Sequence, residues 1–241
     1  MEIMFAAFLI IILILIFFSG DKLMPPKIIS TSQVNLYRNC PRAYYLKYII
    51  GLKSPIASPQ LEFGSKIHSM ISQRNFVSED VREQEQLLRA QKFLECLPSG
   101  GIAETSYEDK NNPARFYGDI SGKRAVAVFD WLWEPDDCIG LDWKTGVFHK
   151  TYSDQYEIQG YFLSELYKQK YDVPMKRLIF KFLGDDVTYE AQLLRDEKIY
   201  KKAERAIKNS LSNIEKEKFE KKCSGRCSFC DMNVFCCMDC F

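Results

Sequence analysis

Three charged side chains set the chemistry this sequence can carry: Asp130, Asp142 and Lys144, the last two in the run Leu141-Asp142-Trp143-Lys144-Thr145-Gly146. Side chains two apart on a strand share a face, so Asp142 and Lys144 project together. A lysine beside two carboxylates is a catalytic arrangement, and proton transfer and charge stabilisation are the work such groups perform. In most sequences an Asp/Lys pair of this kind, taken alone, is a surface ion pair. The elements that must position the three residues are two strands. Val126, Val128, Trp131 and Trp133 are strand formers, residues 134–137 carry turn chemistry, and Ile139 and Leu141 lead into the second strand. A hairpin is expected, with Asp130 on the partner strand in reach of Asp142 and Lys144.

Helical patterns flank this hairpin. Before it, residues 29–48 read as two short helices, the first capped by Ser30, Thr31 or Ser32 and the second started by Pro41 after Cys40. A further helix begins at Phe63-Gly64 and carries His68, one of only two histidines, and residues 81–97 continue in helical periodicity with a mixed charged face. A lone histidine is usually structural, and a lone Cys40 reads as a small buried hydrophobe. After the hairpin, residues 151–170 give a helix with Ile158, Tyr161, Phe162 and Leu166 on its apolar side and Gln155 and Gln159 four apart. Residues 178–183 and 187–193 form a second expected hairpin, and 196–222 a long polar helix.

A chain of 241 residues can bury a sizeable core, so one domain suffices. A net charge of +1 excludes a global electrostatic signature of nucleic-acid binding, and any such surface must be a local groove. Residues 3–18 are an unbroken apolar run, between the lengths of a signal-peptide core and a spanning helix. Glu2 precedes it, Lys22 and Lys27 follow it, and no small-x-small cleavage site is present. The expectation is a retained single-pass anchor over 1–20, a linker over 21–28 around Pro25-Pro26, and a body over 29–241 in the cytoplasm. A cleaved signal is the alternative.

Five of the nine cysteines follow Arg226, a cluster rather than a framework. Cys227 and Cys230 make a CxxC pair, with Cys236 after five more residues and Cys223, Cys237 and Cys240 alongside. Closely grouped thiolates suit zinc or an iron–sulfur cluster, and spacing alone does not choose between them.

Taken in order, Cys40 in Asn-Cys-Pro-Arg-Ala-Tyr-Tyr-Leu, Gly64-x-x-x-His68, Asp130, Asp142-Trp-Lys144-Thr-Gly, Gln159 and Cys227-x-x-Cys230-x5-Cys236 resemble one family. It is the RecB-type branch of the PD-(D/E)xK nucleases, in particular the CRISPR-associated exonucleases of the Cas-four type, and the resemblance covers about residues 28–241. It implies a restriction-endonuclease-like α/β core, a mixed sheet flanked by helices. It implies that Cys40, Cys227, Cys230 and Cys236 bind a four-iron, four-sulfur (4Fe-4S) cluster pinning the tail to the N-terminal helices. His68, Asp130 and Asp142, with the Trp143 carbonyl, would bind Mg²⁺ or Mn²⁺, whose hardness suits oxygen ligands. Lys144 would orient or deprotonate a water and offset developing charge, and Gln159 would orient the site or the DNA. The implied activity is a metal-dependent exonuclease on single-stranded DNA ends, preparing DNA for CRISPR spacer acquisition with the adaptation integrase proteins as partners.

The sequence departs from that pattern at three places. Ala127 stands where glycine is usual three before Asp130, Leu163 replaces the aromatic four after Gln159, and Tyr161 is displaced by two. Cys223, Cys237 and Cys240 are surplus to a four-ligand scheme. Other readings are a RecB-like nuclease of repair or recombination, a non-catalytic iron–sulfur or zinc DNA-binding module, and a membrane-anchored redox protein. The last leaves His68 and the Asp-x-Lys hairpin unexplained.

Overall fold

The structure, a computed structural model, describes residues 25–54, 58–104, 112–133, 137–222, 227 and 230–238. The apolar run at 3–18, the turn residues 134–136, and Cys223 and Cys240 lie outside the described residues.

The chain opens with strand β1 (Ile29–Ser30), helix α1 (Thr31–Asn39) and helix α2 (Pro41–Tyr44), which runs on into one wide turn at Tyr45–Ile49. Pro41 starts α2 as expected, where its missing N–H costs nothing. Ser30 occupies the N-cap position of α1, although its side chain makes no capping bond. Helices α3 (Pro59–Ser72) and α4 (Val81–Glu95) follow, the second capped by Asp80, which accepts from the Glu83 N–H. Strands β2 (Ile102–Ala103), β3 (Arg115–Ile120), β4 (Lys123–Val128), β5 (Trp131–Leu132) and β6 (Ile139–Lys144) come next. Helix α5 (Ser153–Tyr171), strands β7 (Arg177–Phe182) and β8 (Thr188–Glu190), helix α6 (Glu197–Glu215) and helix α7 (Asn233–Met238) complete the order.

The fold is mixed α/β with helices on the sheet faces, as expected, but the strands form two sheets rather than one. The smaller has the order β1-β4-β3 and the larger β2-β5-β6-β7-β8. The expected strand through 125–133 breaks at Phe129-Asp130. Val126 pairs with Tyr117 of β3 and Ser30 of β1, whereas Trp131 pairs with Leu141 of β6. Asp130 is therefore not a strand residue facing β6; it stands at the corner where the chain passes from one sheet to the other. Phe129, fully buried, anchors that corner against Gly140, where a Cβ would come within 2.6 Å of the ring. The close approach requires glycine.

Strands β6 and β7 run parallel, joined across α5 in a βαβ unit. Both are buried on both faces, which is why they read as nearly continuous apolar runs. Odd-numbered Ile139, Leu141 and Trp143 pack with Ile67 and Ile71 of α3 and Leu87 and Ala90 of α4. On the opposite side, Phe180 and Phe182 of β7 join Ile158, Phe162 and Leu166 of α5. Asp142 and Lys144 are thus polar residues on the α5 side of a strand that is otherwise core. The hairpin of β7 and β8 is present as expected.

Helix α6 is shorter than the 196–222 pattern. Its buried positions Ala203, Ile207, Leu211 and Ile214 end with the last core contact, and Glu217 adopts a left-handed φ of 56°. Residues 218–222 instead return to the N-terminal helices, where Tyr37 Oη donates to the Lys218 carbonyl at 2.7 Å and Phe219 stacks on Tyr44.

The expectation of a membrane-anchored, single-pass protein is corrected. Among the described residues no helix is long and apolar enough to cross a membrane. The longest, α5 and α6, carry charged residues throughout one face, such as Asp154, Glu165 and Lys168 or Lys201, Glu204 and Lys208.

Candidate functional site

A cavity of about 820 Å³ opens between α3 and the C-terminal end of β6, and His68, Glu104, Asp130, Lys144, Thr145 and Tyr156 line it. Each arrives from a different part of the chain. His68 follows Ile67, one of the fully buried residues that dock α3, so the docking aims the imidazole at the sheet corner. Its Nδ1 lies 3.0 Å from Asp130 Oδ1. The second oxygen of Asp130 accepts the Trp143 N–H at 2.6 Å, which ties the corner to β6 beside Asp142.

On β6, Lys144 Nζ stands 2.6 Å from Asp142 Oδ2, so the two residues share a face as their spacing predicts. Gln159 of α5 bridges them. Its Oε1 accepts from Lys144 Nζ at 3.0 Å and its Nε2 donates to Asp142 Oδ1. Asp142 is buried, at 6% exposure, and does not itself line the cavity. The structure therefore brings together all five residues singled out here: His68, Asp130, Asp142, Lys144 and Gln159.

Their environments pull the two aspartates apart. Burial by itself would lift Asp130, but the facing His68 and the Trp143 N–H overcome it and hold the carboxyl below the ordinary range. Asp142 goes the other way: burial lifts it, Asp130 adds to the rise, and Lys144 does not fully offset them. Burial alone would depress His68; Asp130 outweighs this and brings the imidazole up to about 8.

Glu104 is the site residue that the sequence reading missed. It follows β2, its N–H donates to the Asp130 carbonyl at 3.0 Å, and burial followed by the charge of Asp130 pushes its carboxyl up. A single glutamate after a two-residue strand leaves no periodic signal; only the antiparallel pairing of Ala103 with Trp131 puts it in the cavity.

The donor set of imidazole and carboxylates has the chemistry of a hard divalent cation site. Asp142 Oδ2 is buried and is held by the lysine ammonium at 2.6 Å. As the side chains stand, they pair with one another, and among the described residues no group of three or more His, Cys, Asp or Glu is arranged to hold a metal ion. A cation would have to displace the His68–Asp130 and Lys144–Asp142 pairings.

Three of the cysteines meet against the N-terminal helices. Cys40, Cys230 and Cys236 pack around Ala43, Leu46 and the fully buried Met232. Lys47 Nζ bonds Asp231 Oδ2 at 2.8 Å, so the tail is fastened to the N-terminal helices by packing and an ion pair. Cys227 is partly buried, and its carbonyl accepts the Cys230 N–H at 3.2 Å. Burial pushes the Cys230 thiol up, with Asp231, Cys40 and Cys236 adding to the rise against the Met232 N–H. A closed four-cysteine ligand set is not formed among the described residues.

Residues 28–100 match the profile of the PD-(D/E)XK nuclease superfamily. The match spans α1 to α4 and includes His68, ending before Glu104. Among solved structures, the chain is similar to one titled "Crystal structure of SSO0001", at 13% identity and a TM-score of 0.46, over 97% of this chain and 96% of that one. No curated protein matches the chain.

Proposed function

We propose that this protein is a divalent-metal-dependent DNA nuclease of the PD-(D/E)XK type, its body the single domain over 29–241. The observation that carries the reading is the convergence of His68, Asp130 and Lys144 on one cavity, with the buried Asp142 paired to Lys144 behind it and Gln159 bridging those two. His68, Asp130 and Asp142 would hold Mg²⁺ or Mn²⁺. Such an ion, when bound, supplies charge to a phosphoryl oxygen and acidifies an attacking water.

The chain's own groups do the rest. Gln159 holds the Lys144 ammonium from one side and Asp142 from the other, so lysine needs little reorganisation to offset negative charge developing on phosphorus. Asp130, kept ionised by His68 and the Trp143 N–H, fixes the corner of the cavity. Glu104 adds a carboxyl that holds its proton more readily than an exposed glutamate, suited to a proton-handling role beside the scissile bond.

The finer reading is an exonuclease on single-stranded DNA ends that prepares DNA for CRISPR spacer acquisition beside adaptation integrase proteins. It rests on the ordered sequence resemblance, as does a 4Fe-4S cluster on Cys40, Cys227, Cys230 and Cys236. The packing of Cys40 with Cys230 and Cys236 supports the latter. Repair and recombination nucleases share the same chemistry, and substrate and genomic context separate them.

Labelled single-stranded DNA incubated with Mn²⁺ and the wild type, Asp142→Ala or Lys144→Ala is the direct test. Cleavage by the wild type and loss in both variants is the expected result; equal cleavage by all three sinks the site. A visible absorption band in anaerobically purified protein, lost in Cys40→Ser, is expected from the cluster, and a colourless, zinc-containing sample removes it.

A further inference from the structure

The backbone immediately after Lys144 is held by three bonds, and one comes from a side chain with no place in the chemistry above. The Lys144 carbonyl accepts from the Leu183 N–H at 2.7 Å and the Gly146 carbonyl from the Gly184 N–H at 3.1 Å, both from the chain that continues β7. Between them, the Thr145 carbonyl accepts from Nε2 of Gln86 on α4 at 2.9 Å. Gln86 is 3% exposed and lies on the helix face that carries Leu87 and Ala90 into the core layer of Ile67, Ile71 and Trp143.

Its Oε1 is fully buried and has no hydrogen-bond partner among the described residues. Half of a buried amide left unpaired is a cost, and methionine would fill the same space without it. The bond to Thr145 is what the amide provides in exchange. Thr145 is also where the chain leaves β6 and turns along the cavity wall. Gly64 of α3, one turn before His68, leaves it room: a Cβ there would come within 3.3 Å of the Thr145 hydroxyl.

We infer that Gln86 is a positioning residue: by fixing the Thr145 carbonyl it sets the turn after Lys144, and with it the placement of the lysine ammonium between Asp142 and Gln159. The inference rests on the nuclease reading above. Gln86 does not line the cavity. Its effect passes through one backbone carbonyl to a neighbouring side chain, and small misplacements of a catalytic group are expensive.

The test compares Gln86→Met, which keeps volume and drops the donor, with Arg89→Met on the same helix. Arg89 Nη1 bonds the carbonyls of Leu183 at 2.6 Å and Gly184 at 2.9 Å, so it tethers α4 to the sheet without touching Thr145. Gln86→Met is expected to lower kcat about 10- to 100-fold, with KM changed less than about twofold. Amide hydrogen exchange at 145–147 should accelerate in that variant, with and without Mn²⁺, while the α4 amides stay protected. Arg89→Met is expected to lower thermal stability and keep kcat. Equal kcat losses in the two variants, scaling with their loss of stability, or unchanged exchange at 145–147, would overturn the inference. An inactive wild type, or a fully active Lys144→Ala, defeats the nuclease reading instead, and exchange at 145–147 then still decides whether Gln86 fixes the turn.

Discussion

Replacing Asp142 with asparagine should abolish cleavage and, in the absence of metal, make the protein more stable. The carboxyl is buried at 6% exposure, and burial together with Asp130 lifts its pKa against the opposing pull of Lys144. A carboxyl whose folded pKa exceeds its unfolded value binds its proton more tightly when folded. It therefore costs the folded state nothing below the unfolded pKa and its full penalty above the folded one. Asparagine removes that penalty at neutral pH and can still accept from Gln159 Nε2. The opposing effect is the loss of the ion pair, and stranding one member of a fully buried pair costs about 3–5 kcal/mol. Lys144 is not stranded: 28% of its side chain is exposed, and Gln159 Oε1 stays 3.0 Å from its ammonium. The penalty term wins, giving a gain of about 0.5–2 kcal/mol, the scale on which relief of an active-site compromise is usually felt. For a chain of this size each kcal/mol moves Tm by about 2–4 °C. Scanning calorimetry of both proteins in EDTA, repeated from neutral to acidic pH, measures it. The asparagine advantage should shrink as pH falls through the carboxyl range. A variant that melts below the wild type at neutral pH refutes the reasoning, because the ion pair would then outweigh the buried charge.

Glu104→Gln should leave the fold intact and raise the Mn²⁺ concentration needed for half-maximal cleavage, or lower the rate, by about 10- to 100-fold, the usual effect of losing a carboxylate beside a metal site. An unchanged Mn²⁺ titration and rate would place Glu104 outside the machinery, despite its position in the cavity. At the alkaline end, burial and then the neighbouring Tyr48 and Tyr37 push Tyr44 up to about 12. Its contribution is fully present below the ordinary tyrosine pKa and is lost as pH rises towards 12, a loss of at most about 3 kcal/mol. Tyr44→Phe should flatten the fall in stability over that window in pH-dependent urea melts, and an unaltered alkaline limb would assign the loss to other tyrosines.

The residues legible in the sequence were those whose signal is local. The spacing of Asp142 and Lys144, the apolar stripe of α5 carrying Gln159, the proline opening α2 and the β7–β8 hairpin are all read from short windows, and each is present. Asp130 is expected on a strand paired with that of Asp142 and Lys144, but it stands at the corner between the sheets and bonds His68 and the Trp143 N–H instead. A run of strand formers from 125 to 133 gives no sign that Val128 and Trp131 pair in different sheets; that break is decided by the packing of Phe129 against Gly140. Glu104 and Gln86 were not legible at all, because each acts through a contact with residues 26 and 59 positions away. The tail of α6 misled for the opposite reason: lysine and glutamate keep helical propensity long after the last buried residue, Ile214, has ended the reason for a helix.

The break at Asp130 also accounts for the chemistry of the pair. Had residues 125–133 formed one strand along β6, Asp130 and Asp142 would face each other as like charges on one buried sheet face, with nothing to make them different. Moving Asp130 to the corner gives it two donors of its own, His68 and the Trp143 N–H, which bond Asp130 rather than Asp142. Asp142 keeps the buried strand position and shares its lysine with Gln159. One carboxylate is thereby held ionised while the other is lifted, the separation by environment that lets two identical groups take different roles in one site. The same corner sets the limit on tolerance: a side chain at Gly140 would push Phe129 from its seat and move Asp130 with it, so the packing of an apolar ring controls the electrostatics of the site.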